Sequence, residues 1–159
     1  MLRPSWTETW LRVADVVADR STCLKYHVGA CLVDQNNQVV STGYNGAPRG
    51  QPHCTECIRI KRGIPSGEQY ELCESIHAEM NCLLQAGQRA RGCTLFLVVK
   101  SPDGIIYHQR APCFMCSKFL IQNGVDQVYI MTGTKENPGY VTVATSDVYR
   151  ENRREKGMG

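Results

Sequence analysis

Ile76-His77-Ala78-Glu79-Met80-Asn81 and Pro112-Cys113-Phe114-Met115-Cys116 stand on either side of an apolar run, Cys93-Thr94-Leu95-Phe96-Leu97-Val98-Val99. The run has the length and apolar content of a buried central strand. Each flanking stretch opens a helical pattern. One spans Ile76 to about Ala86, with Ser75 ahead of it and Gly87 behind; the other spans about Cys113 to Gln122 and stops at Asn123-Gly124. Another strand is expected over Val125 to Met131. One histidine and two cysteines close three corners of a tetrahedral zinc site and leave the fourth open. Glu79, two residues beyond the histidine, is spaced to move a proton rather than to bind metal.

Working outward, Trp6 to about Arg20 reads as an amphipathic helix, because Trp6, Trp10, Val13 and Val17 recur at three- and four-residue steps. Ser5 is its expected N-cap, with Glu8 at the capping-box position. The two tryptophans are expected in the core. Val28 to Val33 predicts a strand, Asp34 to Asn37 a turn and Gln38 to Thr42 the hairpin partner. Gly43 to Gly50 reads as a glycine-rich loop, and His53 to Glu74 as an irregular insert with room for a short helix. Ser101 to Gly104 is a turn signal, with a return strand expected at Ile105 to Tyr107; the chain is expected to finish as a helix from Ser146. Alternating strands and helices predict an α/β fold, helices covering a mixed sheet. Residues 1–159 form a single domain on this reading, with a Cys-rich insert at about 50–75.

The formal net charge of +3 is mild, and the one basic cluster, Arg150 to Lys156, is interrupted by acids. Nucleic acid is therefore not an expected partner. No apolar run is long enough to span a membrane, and Met1 to Trp10 has no secretory apolar core, so the cytoplasm is the expected location. Nine cysteines is an odd count, and several sit at ligand-like spacings: Cys54-x-x-Cys57, Cys113-x-x-Cys116, and Cys73 four residues before His77. Reduced thiolates on metal explain these better than disulfides. Cys31, Cys82 and Cys93 lie in apolar surroundings and are expected as small buried hydrophobes.

Zinc lowers the pKa of bound water enough to supply hydroxide near neutral pH. Hydroxide attacks an amidine-like carbon that carries an exocyclic amine. Glu79 would take the water proton, protonate the neighbouring ring nitrogen and help the amine leave as ammonia. The competing reading is a structural zinc with Glu79 or another cysteine as fourth ligand, in a non-catalytic, zinc-stabilised binding module. That reading leaves the spacing of Glu79 unexplained.

At these motifs the chain resembles a known family. About Trp6 to Gly133 is similar to the deoxycytidylate (dCMP) deaminases of the zinc-dependent cytidine deaminase-like superfamily. The resemblance rests on Arg20-Ser21-Thr22-Cys23, Val28-Gly29-Ala30, Gly43-Tyr44-Asn45-Gly46-Ala47-Pro48, His53-Cys54, Cys73, Ile76 to Asn81, Pro112-Cys113-x-x-Cys116 and Asn123-Gly124-Val125. It implies a three-layer α/β/α sandwich with a central mixed sheet. The implied reaction is dCMP plus water to dUMP and ammonia, supplying thymidylate synthesis. The implied assembly is a homo-oligomer, with a hexamer favoured.

Residue by residue, the resemblance makes His77, Cys113 and Cys116 the catalytic zinc ligands and Glu79 the proton shuttle. Asn45 matches a residue holding the sugar hydroxyl, since an amide both donates and accepts; its other reading is a turn residue in a left-handed conformation. Ala78 joins the substrate-binding set. Gly43, Tyr44, Gly46 and Arg49 fall in the family's effector loop, where dCTP activates and dTTP inhibits. Cys23, Cys54, Cys57 and Cys73 match a second, structural zinc, with His53 competing for one position. Two departures stand out. Lys100 to Ala111 is inserted before the Pro-Cys, and the Cys54–Cys57 spacing is short. The insertion keeps open dCTP or another amino-heterocycle as substrate. Lys25, Arg49, Arg110 and Tyr140 are the candidates for a substrate phosphate.

Overall fold

Ser5 opens the first helix, α1 (Trp6–Ala18), with the expected reciprocal cap: its hydroxyl accepts from the Glu8 amide, and the Glu8 carboxylate accepts from the Ser5 amide. The structure is a computed structural model describing residues 2–107 and 111–159. After α1 come β1 (His27–Val33) and β2 (Val39–Tyr44), a hairpin turned on the Asp34 carboxylate, which accepts from the amides of Asn36 and Gln38. A one-turn helix, α2 (Ile58–Lys61), lies inside the insert, as does a 3-10 turn at Tyr70–Leu72. Then follow α3 (Ala78–Ala86), β3 (Thr94–Lys100), α4 (Phe114–Gln122), β4 (Gln127–Met131), β5 (Tyr140–Ala144) and α5 (Thr145–Glu155).

The five strands form one mixed sheet in the order β2-β1-β3-β4-β5. Only β3 and β4 run parallel. That pair is joined through α4, the crossover that parallel strands require. Alternate side chains of β3 feed two cores. Leu95, Leu97 and Val99 face α3 and α4 together with Cys82, Leu83, Leu120, Val128 and Ile130. Phe96 and Val98 face α1 and pack with Leu11, Ala14, Cys31 and Met131. Each fully buried aliphatic side chain contributes about 1.5–3 kcal/mol. Helices on both faces of the sheet make the α/β/α sandwich.

Several boundaries differ from the sequence reading. Ser75 does not open α3; His77 is its N-cap, and Cys113 is the N-cap of α4. The tail carries a fifth strand ahead of its helix. Ile105–Tyr107 returns beside β3 through a single bridge, Lys100 to Ile106, rather than as a strand. Trp6 stacks on Trp10 but stays half exposed, so only Trp10 reaches the core.

Gly43 and Tyr44 belong to β2, not to a loop. A Cβ at Gly43 would lie 2.3 Å from the carbonyl oxygen of Ala78 in α3. On the other face, a Cβ at Gly29 would lie 1.9 Å from the Ala14 carbonyl oxygen in α1. These two glycines let the helices sit directly on the strands. Cys31, Cys82 and Cys93 are buried as expected, and burial pushes the Cys31 thiol up to about 12. Among the described residues no helix is long and apolar enough to cross a membrane.

Candidate metal centre and substrate cavity

His77 and Cys113 stand at the N-caps of α3 and α4, both in extended conformation, and Cys116 follows on the first turn of α4. Extended caps turn the side chains back across the helix ends. The backbone before His77 is held by a two-way bridge, Gly46 to Ile76, with N···O distances of 3.2 and 2.8 Å. The bridge brings the end of β2 against the start of α3. His77 Nδ1 lies 3.6 Å from Cys113 Sγ and 3.3 Å from Cys116 Sγ. Bonds of about 2.0 and 2.3 Å at tetrahedral angles place a nitrogen and a sulfur about 3.5 Å apart, so the three donors fit one zinc ion. Among the described residues this is the one group of three or more such side chains whose ligand atoms lie within 4.8 Å of one another.

The electrostatics suit a metal centre. A hydrogen bond from Cys116, followed by His77, holds Cys113 down at about 4, while Cys116 is raised by its bond to Cys113 and by burial. Burial pulls His77 down, but the bond to Cys113 and the Glu79 carboxylate outweigh it and leave it raised. Glu79 is 5% exposed, and burial lifts its carboxyl above the ordinary range against the pull of His77. Helix N-termini favour negative charge, which adds to the stabilisation of thiolate at Cys113.

A cavity of about 130 Å³ opens beside this group. Its volume is close to the ~150 Å³ that accommodates a single benzene ring. Ala78, Glu79, Asn45, Lys25, Tyr26 and Arg59 are among its lining residues. Asn45 is 6% exposed and clasps three groups: Oδ1 accepts from the Val28 amide and the Ser21 hydroxyl, and Nδ2 donates to the Tyr26 carbonyl oxygen. Among the described residues, Tyr26 is the one acceptor of Nδ2, which has two hydrogens to give. Asn45 is not in the left-handed region, which removes the turn reading.

The other expected residues scatter. Tyr140 begins β5, tilted against Tyr129, and does not line this cavity. Arg49 is exposed beyond the Gly46 bridge. Arg110 lies outside the described residues. The inserted segment lines the cavity with Ala111, and its Tyr107 ring meets the lining Tyr26 edge-on at 5.4 Å. Cys23, Cys57 and Cys73 line the same cavity, whereas Cys54 and His53 line a separate groove, and the Cys54 thiol donates to Glu74 at 3.4 Å. These four cysteines are not drawn together as the first three ligands are. Sequence reasoning missed Arg59, a buried cation on the cavity wall.

Residues 4–132 match the cytidine and deoxycytidylate deaminase zinc-binding region. The deoxycytidylate deaminase of Schizosaccharomyces pombe is 36% identical over 132 residues, covering 82% of this chain and 38% of the yeast protein. That of Mycobacterium phage D29 is 35% identical over 134 residues, covering 80% of this chain and 95% of the phage protein. The chain thus spans well under half of the yeast relative and nearly all of the phage one. Among solved structures, the apo dCMP deaminase of cyanophage S-TIM5 has the same fold, with a TM-score of 0.61, 24% identity and coverage of 95% of this chain and 94% of that one.

Proposed function

The chain belongs to the cytidine and deoxycytidylate deaminase zinc-binding family, and from that premise we propose that it hydrolyses dCMP to dUMP and ammonia. The observation that carries the proposal is Glu79, a buried carboxylate lining a ring-sized cavity beside three zinc donors. His77, Cys113 and Cys116 would hold a zinc ion, which would lower the pKa of bound water enough to make it a nucleophile near neutral pH. Glu79 takes the proton of the attacking water and delivers it to the ring nitrogen beside the reacting carbon. It then passes the second proton to the amine, which leaves as ammonia. The raised carboxyl suits a group that must both accept and return a proton. Ala78 walls the base, and the spare Asn45 N–H donates to the sugar hydroxyl.

The test is ammonia release by zinc-loaded protein from dCMP, dCTP and deoxycytidine. Preference for dCMP supports the proposal. Preference for dCTP moves the substrate to the triphosphate, and no turnover of any of the three favours the binding-module reading. Metal analysis of the same preparation tests a second proposal, a structural zinc on Cys23, Cys54, Cys57 and Cys73 with His53 competing. It draws support from Cys23, Cys57 and Cys73, which line one cavity. Two zinc ions per chain, falling to one in Cys54→Ser, are expected; one zinc in both defeats it.

The resemblance extends the proposal to a homo-oligomer, a hexamer by preference, for which α4 offers exposed Met115, Phe119 and Ile121. With it goes regulation by dCTP and dTTP at Gly43, Tyr44, Gly46 and Arg49. Nine free thiols fit a reducing, cytoplasmic setting.

A further inference from the structure

Arg59 sits on the one-turn helix of the Cys-rich insert and is 4% exposed. Arginine is almost never this buried without a partner, because an unneutralised charge away from water is costly. Its Nη2 donates to the carbonyl oxygens of Pro65 at 2.7 Å and Glu68 at 3.1 Å. Among the described residues its buried Nε has no hydrogen-bond partner. Among the described residues no carboxylate lies within ion-pair distance of it. Two carbonyl dipoles orient the guanidinium but bring no counter-charge.

The direction in which that charge acts is defined. The guanidinium lies 4.4 Å from the Tyr70 ring centroid, and the Tyr70 ring meets His77 edge-on at 4.9 Å. Arg59, Tyr70, His77 and Glu79 all line the one cavity. A single aromatic ring therefore separates an uncompensated cation from the metal centre. A nucleotide whose base sits at that centre carries its phosphate one sugar and one methylene away.

We propose that Arg59 binds the 5′-phosphate of the nucleotide, the ligand supplying the counter-ion that the protein withholds. The inference rests on the dCMP reading and deepens it, by naming the residue that separates nucleotide from nucleoside. Lys25 lines the same cavity; it is half-buried, and its ammonium lies over the Tyr26 ring at 5.2 Å. Its ammonium is a point charge on a flexible stem, so it matches a phosphate less specifically than the planar, pre-oriented guanidinium does.

The test is calorimetric titration of the zinc-loaded full chain with dUMP and with deoxyuridine, which needs no turnover. Wild type is expected to bind dUMP about 100-fold or more tighter than deoxyuridine, the scale of a desolvated charge pair. In Arg59→Met that ratio is expected to collapse to about 3-fold or less, with deoxyuridine affinity unchanged. Unchanged nucleoside binding separates a phosphate contact from a general loosening of the insert. Arg59→Lys keeps the stem and the charge and serves if the Met variant does not fold; a roughly 10-fold loss for dUMP alone is expected from its poorer fit. Survival of the wild-type ratio in the variants, equal weakening of both ligands, or no preference for dUMP in wild type overturns the inference. Failure of the dCMP reading shows separately, as no ammonia from dCMP with wild-type protein.

Discussion

Glu79→Gln is expected to keep its zinc and lose turnover by about 10²–10⁴-fold, the contribution of a positioned proton-transfer group. The substitution preserves the shape of a buried side chain and removes its ability to take and return a proton. His77, Cys113 and Cys116 still provide three donors, so metal content should match wild type. The loss should appear in kcat, with KM nearly unchanged, because Glu79 forms only part of the cavity lining and the remaining walls are untouched. Wild-type turnover in the variant would remove Glu79 from the chemistry. Lost zinc would instead make it a ligand and revive the structural-zinc reading.

The second large effect concerns stability. Lys100, at the end of β3, is 1% exposed, and its ammonium donates to Asp15 Oδ1 at 2.7 Å, the Asp15 carbonyl oxygen at 3.1 Å and Asp19 Oδ1 at 2.6 Å. Asp15 is itself 4% exposed on α1. Lys100→Met leaves that carboxylate, among the described residues, only Lys135 at 3.6 Å, and Lys135 is half exposed. A cost of about 3–5 kcal/mol is expected, the scale of a broken buried pair. In a chain of this size it lowers Tm by roughly 6–20 °C. Adding Asp15→Leu should recover most of the loss, since replacing both charges removes the orphan. If the single and double variants melt together, the charge pair is not the cause.

The same network sets a pH window. Asp19 is lowered, chiefly by its hydrogen bond from Lys100, so its stabilisation is present above the ordinary carboxylate range and is lost as pH falls through the lowered value. Burial works against Lys100, but its bonds to Asp15 and Asp19 raise it; its stabilisation is present below the ordinary lysine range and is lost as pH rises through the raised value. Lys100→Met should flatten both limbs of a melting-temperature profile.

Much of this was legible in the chain because local chemistry decided it. Ser5 and Glu8 announced a capped helix, and the three metal donors and Glu79 announced themselves by spacing. What stayed hidden depended on distant partners. Gly43 reads as a loop glycine, yet it is a strand residue whose missing Cβ admits α3. Tyr140 to Ala144 is too short to signal a strand until β4 pairs with it. Arg59, in the charged stretch Arg59-Ile60-Lys61-Arg62, looks like a solvated helix face; the chain returning through Pro65 and Glu68 is what buries it. Lys100 looked like the start of an insertion, and only α1 gives it counter-ions.

Two of the three metal donors are helix N-caps, so two helices aim their positive ends at one point. Arg59 and Lys25 add full charges along the same wall. The cavity thus carries a built-in polarity that sorts its traffic. On the proposed reaction an anionic nucleotide would be drawn inward, and the nitrogen released from it, once protonated to ammonium, would be pushed back toward water. The arrangement that favours thiolate at Cys113 would then also help clear the by-product.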